Sequence, residues 1–343
     1  MPETSKLSSV IAFFLILASI VTLSGCGQQQ DDSNSITVYS ARQEHLIKPL
    51  FDRYTEETGV AIRYITDSAG ALLQRLGAEA QNTPADILLT VDAGNLWQAA
   101  QQDALQPINS PTLEEHIPKY LRDPDNQWFG LSVRARTIVY STDRVKRAEL
   151  STYAALAEPQ WRNRLCLRTA KKVYNQSLVA MLIVAHGEEQ AEKIVKGWVN
   201  NLAAPPFADD VAVMNAIVAG QCDVGIVNSY YFGRLQKDDP EIPLALFWAN
   251  QTQDGVHVNV SGAGVTRHSN NPEGATKLLE WLSAGEAQGL FAALDLEYPA
   301  NPKVKAAPLV RAWGEYRPNV INVAKAGELQ ATAVKLMDRA GYH

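Results

Sequence analysis

Polar side chains lie at the ends of several predicted secondary-structure elements. In open α/β sheets, ligands collect at the carboxyl ends of the strands, so such side chains are the first candidates for a binding site. Four places in the sequence qualify: Ser40-Ala41-Arg42-Gln43, Tyr140, Asn175-Gln176-Ser177 and Asn228-Ser229-Tyr230-Tyr231. Together they supply three phenols, one guanidinium and several amide and hydroxyl groups.

The three phenols indicate a hard trivalent cation as the ligand. Phenolates from Tyr140, Tyr230 and Tyr231 would neutralise Fe³⁺, while Arg42 would hold a small anion. Tyrosine ionises at about pH 10, but a bound metal can deprotonate its ligand at neutral pH. A bidentate carbonate and one further oxygen would then complete an octahedral shell.

Other aromatic and imidazole side chains near these places have a simpler interpretation. An adjacent pair of tyrosines is most often a packing feature, and only the position of Tyr230 and Tyr231 after a strand favours a ligand role. Tyr39 lies within the first predicted strand and Tyr174 precedes a helix, so both are interpreted as structural. His45 lies beside an apolar helix face and is interpreted as a surface or core histidine.

An alternation of strands and helices must position these side chains. Hydrophobic periodicity predicts strands at 36–40, 60–64, 86–91, 137–140, 165–167 and 223–228. It predicts helices at 46–54, 71–81, 93–102, 176–186, 188–202, 211–219, 272–283 and 329–339. Such alternation predicts an α/β fold with a mostly parallel sheet.

The length of the chain indicates two lobes. Without residues 1–25 the chain has 318 residues, more than one compact core usually holds. Two extended segments rich in Gly, Ser and Val, 129–136 and 257–265, are interpreted as hinge crossings. The predicted lobes are therefore discontinuous, with lobe 1 at 36–132 and 264–305 and lobe 2 at 133–263 and 306–343.

The first 25 residues have the pattern of a lipoprotein signal peptide. An uncharged apolar run begins after Lys6 and ends in Leu23-Ser24-Gly25-Cys26, which is typical of a lipobox. A run of this length could also span a membrane, but Ser, Thr and Gly interrupt it. We expect cleavage before Cys26, lipidation of its thiol, and a polar tether at 26–35, so that the mature protein is anchored to a membrane in the periplasm.

Two further cysteines, Cys166 and Cys222, remain after lipidation of Cys26. An exported chain in an oxidising compartment tends to pair such residues, which predicts a disulfide. The alternative is a pair of buried apolar thiols. No CxxC or HxxxH spacing supports a Cys/His metal site.

Charge and motifs exclude several classes of function. The net charge of −6 and the lack of an Arg/Lys run argue against a nucleic-acid partner. An enzyme is disfavoured because GxSxG, HExxH, P-loop and GxGxxG motifs are missing from suitable places. Binding of another small solute, such as an oxyanion, a phosphonate or a polyamine, stays open because fold does not determine the ligand.

Five stretches resemble the bacterial ferric-iron-binding proteins. They are ITVYSARQ at 36–43, RARTIVYSTDRV at 134–145, VYNQSLVA at 173–180, GQCDVGIVNSYYFGRL at 220–235 and VNVSGAGV at 258–265. These proteins are transferrin-like, type 2 periplasmic binding proteins with two lobes, a hinge and an interlobe cleft, and they feed ABC importers. The resemblance spans residues 36–343 and implies a monomeric binding protein that delivers ferric iron to an ABC permease.

The resemblance also implies roles for individual residues. Tyr140, Tyr230 and Tyr231 would coordinate Fe³⁺, and Arg42 would contact a carbonate-like synergistic anion, with secondary anion contacts from Asn175 and Asn228. Many relatives carry a His or a His-Tyr pair in the loop after the first strand, where this sequence has Gln43-Glu44. This departure favours the subclass that uses three tyrosines and an exogenous anion, with Gln43 as an outer contact of the site.

Overall fold

The computed structural model describes residues 35–343. The predicted signal peptide at 1–25, the lipidation site Cys26 and the tether up to residue 34 lie outside the described residues. Within 35–343, no helix has both the length and the apolar character needed to cross a membrane.

Strands and helices alternate along the described chain. The strands are β1 Ser35–Ser40, β2 Ala61–Thr66, β3 Ile87–Thr90, β4 Phe129–Ser141, β5 Leu165–Cys166, β6 Val224–Asn228, β7 Leu244–Phe247, β8 Val258–Val265 and β9 Tyr298–Pro299. The helices are α1 Glu44–Thr58, α2 Ala69–Glu79, α3 Ala93–Gln101, α4 Pro111–His116, α5 Val173–His186, α6 Glu188–Asn200, α7 Asp210–Val218, α8 Ser229–Asp238, α9 Pro272–Ser283, α10 Gly285–Asp295, α11 Pro308–Ala312, α12 Lys325–Glu328 and α13 Gln330–Arg339.

The first strand–helix unit shows how local sequence produces these elements. In α1 one face buries Ile47, Leu50 and Phe51, which recur at the three- to four-residue spacing of a helix. Gly59 ends the helix with a φ of 72°, a left-handed conformation that glycine adopts without a steric penalty from Cβ. The chain then returns as β2, parallel to β1. This unit sets the loop 41–43 at the carboxyl end of β1.

The sheet differs from the mostly parallel arrangement expected from the sequence. Its strand order is β2-β1-β3-β8-β4-β6-β5, with β7 and β9 also paired to β4. Five of the eight strand pairings among the described residues are antiparallel. The physical reason is that the long strands β4 and β8 run in opposite directions and together take part in all five antiparallel pairings. Four of these involve β4, and the fifth joins β8 to β3.

The two predicted crossing segments are these same two strands. β4 pairs with β8 up to Ala135, and from Arg136 it pairs with β6 and β7. β8 likewise pairs with β4 from Val258 to Ala263, and with β3 from Gly262 to Val265. An antiparallel ribbon therefore joins the strands near the N-terminus to those of the middle of the chain.

Cys166 and Cys222 form a disulfide, as expected from the sequence. Cys166 ends β5 and Cys222 precedes β6, and these two strands are parallel neighbours. The bridge spans a sequence separation of 56 residues. By the chain-entropy model, closing a loop of this length stabilises the folded state by about 4 kcal/mol.

Candidate metal centre

One cavity of about 160 Å³ brings together side chains from distant parts of the chain. We call it the phenol cavity. Its lining residues are Ala41, Arg42, Gln43, Leu46, Val91, Arg134, Tyr174, Tyr230, Tyr231, Arg234 and Glu297. They come from the segments that follow β1 and β3, from the first turn of α1, from β4, from α5 and α8, and from the residue before β9. The cavity thus lies where several strands and helices end or begin, as the strand-end rule predicts.

Tyr230 and Tyr231 lie in the first turn of α8, directly after the buried strand β6. Their rings are 4.4 Å apart between centroids. The Tyr230 hydroxyl accepts a hydrogen bond of 3.3 Å from the Asn228 side-chain amide. Burial, followed by the neighbouring phenols of Tyr174 and Tyr231, raises the pKa of Tyr230 well above its ordinary value. Without a bound cation this phenol is therefore neutral at physiological pH.

Tyr174 lines the phenol cavity, although its place before a predicted helix indicated a structural role. Its ring lies between two guanidiniums, with the Arg134 and Arg168 carbons 5.2 Å and 5.3 Å from the ring centroid. Tyr174 occupies the first turn of α5, the same kind of position that Tyr230 occupies in α8. Applying the strand-end rule to the helix that follows β5 would have identified it from the sequence.

Tyr140 was expected in the site, but the structure places it elsewhere. β4 continues past Tyr140 to Ser141 and pairs on both edges, so Tyr140 lies opposite Val224 of β6 and Ala245 of β7. Its side chain is 7% exposed and belongs to the main hydrophobic core, and it does not line the phenol cavity. The prediction treated Tyr140 as the end of a short strand, whereas it lies inside a paired one.

Arg42 lines the phenol cavity and is already neutralised by carboxylates. One guanidinium nitrogen lies 2.8 Å from Asp295 and 3.3 Å from Glu297, and the group stacks 4.8 Å above the Phe291 ring. Burial by itself lowers the pKa of Arg42, but Glu297 and Asp295 outweigh it and raise the pKa above its ordinary value. Arg42 is therefore a permanent cation, held in a fixed position at the wall of the cavity.

Arg134 and Glu297 are cavity residues that sequence reasoning missed. Arg134 donates to the Ser261 hydroxyl at 3.1 Å and lies 3.9 Å from Glu297. Burial raises the pKa of Glu297, but Arg42 and Arg134 more than offset this and lower it below its ordinary value. The one signal for Arg134 was that the extended segment 129–136, which is mostly apolar or small, contains two arginines, Arg134 and Arg136. Glu297 carried no such signal, because it precedes a two-residue strand formed only by tertiary pairing.

Asn175 and Asn228 do not line the cavity, contrary to their expected role in anion binding. Both accept hydrogen bonds from the buried Arg136 guanidinium, at 2.9 Å and 3.1 Å, and Asp210 pairs with the same group at 3.0 Å. Their side-chain amides donate elsewhere, from Asn175 to the Arg168 carbonyl at 2.8 Å and from Asn228 to Tyr230. Both asparagines therefore bind Arg136 outside the cavity lining, and Asn228 also orients the Tyr230 hydroxyl.

Gln43 lines the cavity at the residue that precedes α1. This agrees with its expected place near the site, in the loop after β1. Its side chain is exposed, so it lies at the mouth of the cavity rather than at its base.

The cavity has the charge and donors for a hard cation together with an anion. Its lining carries three guanidiniums and one carboxylate, a formal charge of two positive, along with three phenols. Among residues 35–343 there is no cluster of three or more His, Cys, Asp or Glu side chains that could hold a metal. The lining therefore offers a cation the oxygens of three phenols, and it offers an anion three guanidiniums.

Comparison with known proteins shows the family of this chain. Residues 49–318 match the family of bacterial extracellular solute-binding proteins. The chain is 40% identical to iron uptake protein A1 of Synechocystis sp., over 97% of both chains. It is also similar to a solved structure of the Trichodesmium protein IdiA (FutA) in complex with iron and citrate ligands, with a TM-score of 0.87, 42% identity, and coverage of 90% of this chain and 100% of that one.

A second solved structure supports the same assignment. The open form of the Mannheimia haemolytica ferric iron-binding protein A has a TM-score of 0.85 and 36% identity, over 90% of this chain and 99% of that chain. Members of this family bind and deliver solutes and are not enzymes. The chain therefore belongs to the bacterial extracellular solute-binding proteins, within the group of two-lobed periplasmic ferric-iron-binding proteins.

Proposed function

We propose that this protein captures ferric iron with the phenolates of Tyr174, Tyr230 and Tyr231 and delivers it to an ABC importer. The observation that carries the proposal is that these three phenols line one cavity of about 160 Å³. Three phenolates balance the charge of Fe³⁺, and they are the anionic oxygen donors that a hard cation prefers. Tyr174 replaces Tyr140 in the ligand set expected from the sequence.

Binding of the cation must release protons. Because burial raises the pKa of Tyr230, this phenol is protonated in the iron-free protein at neutral pH. Coordination requires the phenolate, so a proton leaves when iron enters. Ferric affinity is therefore expected to fall as the pH falls, and the bound protein is expected to release its iron on acidification.

A small anion is proposed to share the site with the metal, with carbonate as the first candidate. The formal charge of the cavity lining favours an anion, and Arg42, Arg134 and Arg234 surround its space. Arg42 already uses part of its hydrogen-bonding capacity on Asp295 and Glu297. The anion would therefore be held by several guanidiniums together, and Arg42→Ala should weaken iron binding less than the loss of a tyrosine.

The location of the protein follows from the sequence pattern around Cys26. We propose that a lipid on Cys26 anchors the mature chain in the periplasm, where it works as a monomer beside the permease of its importer. The lobes are proposed to follow the sequence boundaries, 36–132 with 264–305 and 133–263 with 306–343. Cys26→Ser should release the protein from the membrane fraction, and a variant still tightly bound after cleavage would contradict the anchor.

The direct test is a ferric titration of the purified protein. Iron-free protein in bicarbonate buffer is titrated with ferric nitrilotriacetate while the visible spectrum is recorded. Phenolate-to-iron charge transfer should produce a red-brown colour that saturates at one iron per chain and bleaches on acidification. Absence of a saturating band, together with binding of phosphate to the iron-free protein, would instead support an oxyanion-binding protein.

A further inference from the structure

Asp92 is a buried carboxylate at the edge of the phenol cavity. It follows Val91, which lines the cavity, and its own side chain is fully buried. The carboxylate caps α3 by accepting a hydrogen bond of 2.7 Å from the Gly94 amide. It also accepts one of 2.8 Å from the side-chain amide of Asn259 in β8. These two bonds hold Asp92 to α3 and to the ribbon of β4 and β8.

A third hydrogen bond to Asp92 comes from α5, the helix that carries Tyr174. The Ser177 hydroxyl donates to the carboxylate, with its oxygen 3.2 Å and 3.3 Å from the two carboxylate oxygens. Ser177 lies three residues after Tyr174, so both side chains are on the same face of the helix. The cavity phenol and the contact with Asp92 are therefore about one helical turn apart.

The contact between Ser177 and Asp92 joins the two lobes. With the lobe boundaries proposed above, Asp92 belongs to lobe 1 and Ser177 to lobe 2. Asn259 and Arg134, which lies 3.9 Å from the same carboxylate, are opposite each other in the crossing strands β8 and β4. Periplasmic binding proteins close their lobes around the solute by hinge motion. Ser177 is therefore the partner of Asp92 that such a motion would move relative to it.

We propose that the hydrogen bond from Ser177 to Asp92 forms when the lobes close, and that it positions Tyr174 against the metal. This inference rests on the proposed function, in which Tyr174 is a ligand. Both residues are positioning residues, because neither lines the phenol cavity. In the open form water would hydrate both groups, so the hydrogen bond stabilises only the closed form and shifts the equilibrium towards it. Bound iron is then released more slowly.

Ser177→Ala removes the hydroxyl and keeps all three phenols. Release of iron to excess EDTA is followed by the decay of the charge-transfer band at pH 8. Asp92 is ionised at this pH, because burial raises its pKa only to about 6. The release rate should increase by about tenfold, which is the lower end of the value of a hydrogen bond to a charged group. The absorption maximum should not move, since no ligand is lost.

Ser141→Ala is the matched control. Ser141 is as buried as Ser177, but among the described residues its hydroxyl has no hydrogen-bond partner. This variant loses the same atom without losing a hydrogen bond. Its release rate should equal that of the wild type.

A double variant tests whether Ser177 acts through Asp92. Asp92→Asn removes the charge, and asparagine also caps helices, so α3 keeps its cap. In this background Ser177→Ala should raise the release rate by less than about threefold, because effects of residues in contact are not additive. An equal effect in both backgrounds would overturn the inference.

Two further outcomes separate this inference from the proposed function. If wild-type protein binds ferric iron and Ser177→Ala releases it at the wild-type rate, the inference alone is overturned. This includes the case in which Ser177→Ala lowers only the free energy of unfolding of the iron-free protein, since the contact would then belong to the permanent fold. A wild type without a charge-transfer band would contradict the proposed function, and this inference with it.

Discussion

The tyrosines of the core and those of the phenol cavity have the same side chain but different partners. In the core, two phenols have a fixed acceptor: Tyr39 donates to Glu79 at 2.8 Å, and Tyr153 to the Arg136 carbonyl at 2.5 Å. In the cavity, Tyr230 and Tyr231 stack on each other, and Arg234 lies 5.1 Å and 5.5 Å from their ring centroids. A phenol committed to an internal acceptor stabilises the fold, whereas phenols facing one another and guanidiniums can ionise on a metal.

The largest loss of ferric affinity is expected when two of the cavity phenols are removed. The double variant Tyr230→Phe, Tyr231→Phe keeps both rings and their packing but loses two anionic donors. Loss of outer contacts alone costs about 10- to 100-fold in metal affinity, so loss of two ligands should cost at least about 1,000-fold. Ferric titration followed at the charge-transfer band measures this. Wild-type affinity and colour in a folded double variant would remove the basis of the site.

Tyr174 and Tyr140 offer a matched pair for the third ligand. Tyr174→Phe should lower ferric affinity by more than about 100-fold, since it removes a ligand rather than an outer contact. Tyr140→Phe should leave ferric affinity unchanged, because Tyr140 belongs to the core and not to the cavity lining. Both variants are compared in one ferric titration. The opposite pattern would restore the ligand set expected from the sequence.

Tyr153→Phe tests the core side of the comparison. The Tyr153 hydroxyl donates to the Arg136 carbonyl and accepts from the His257 backbone amide at 3.0 Å. Removing it leaves a buried amide without its acceptor, which should lower the free energy of unfolding by about 2 kcal/mol. Urea denaturation measures the loss, and ferric affinity should be the same as in the wild type. A large fall in ferric affinity with unchanged stability would contradict the separation of the two groups.

The smallest effect is expected for Tyr39→Phe. Glu79 keeps its hydrogen bonds to Arg75 at 2.7 Å and to Thr83 at 2.8 Å, so the carboxylate does not lose all its partners. The variant should unfold with a free energy lower by about 1 kcal/mol, and its ferric affinity should not change. Denaturation and ferric titration of the same preparation check both parts. A measurable loss of iron binding would mean that β1 acts on the site through more than Arg42.

The sequence correctly predicted the helices and strands that are marked by neighbouring residues, such as a cap, a proline or an apolar face. Helix α9 begins and ends where the prediction put it, because Asn271 accepts from the Gly274 amide as the cap, Pro272 opens the helix and one face is apolar. Helix α10 and strand β7 were missed. In α10 the helix starts directly after α9 without a side-chain cap, and β7 is a four-residue run recognisable only by its pairing with β4.

Two phenols of the candidate site were likewise predictable from neighbouring residues, and the third was not. Tyr230 and Tyr231 were identified because they directly follow the predicted buried strand 223–228, so adjacency in the chain fixes their place. The third phenol is more than 50 residues away in the chain, and nothing local states whether Tyr140 or Tyr174 lies beside them. The pairing of β4 on both edges excludes Tyr140 from the cavity, because it places Tyr140 inside the sheet between β6 and β7.

The sequence by itself determined the class of protein and identified the disulfide cysteines and the adjacent pair of tyrosines, while the lipid anchor at Cys26 stays a prediction from residue type and spacing. Only the tertiary structure decided on which face of β4 each side chain lies. Arg134 and Glu297 line the phenol cavity, whereas Val133 and Tyr298 line a separate cavity of about 440 Å³. The register of β4 and β9 decides this, because it assigns alternate residues to opposite faces of the sheet. Register depends on contacts between segments some 165 residues apart, such as Ser132 with Glu297, and no local pattern encodes it.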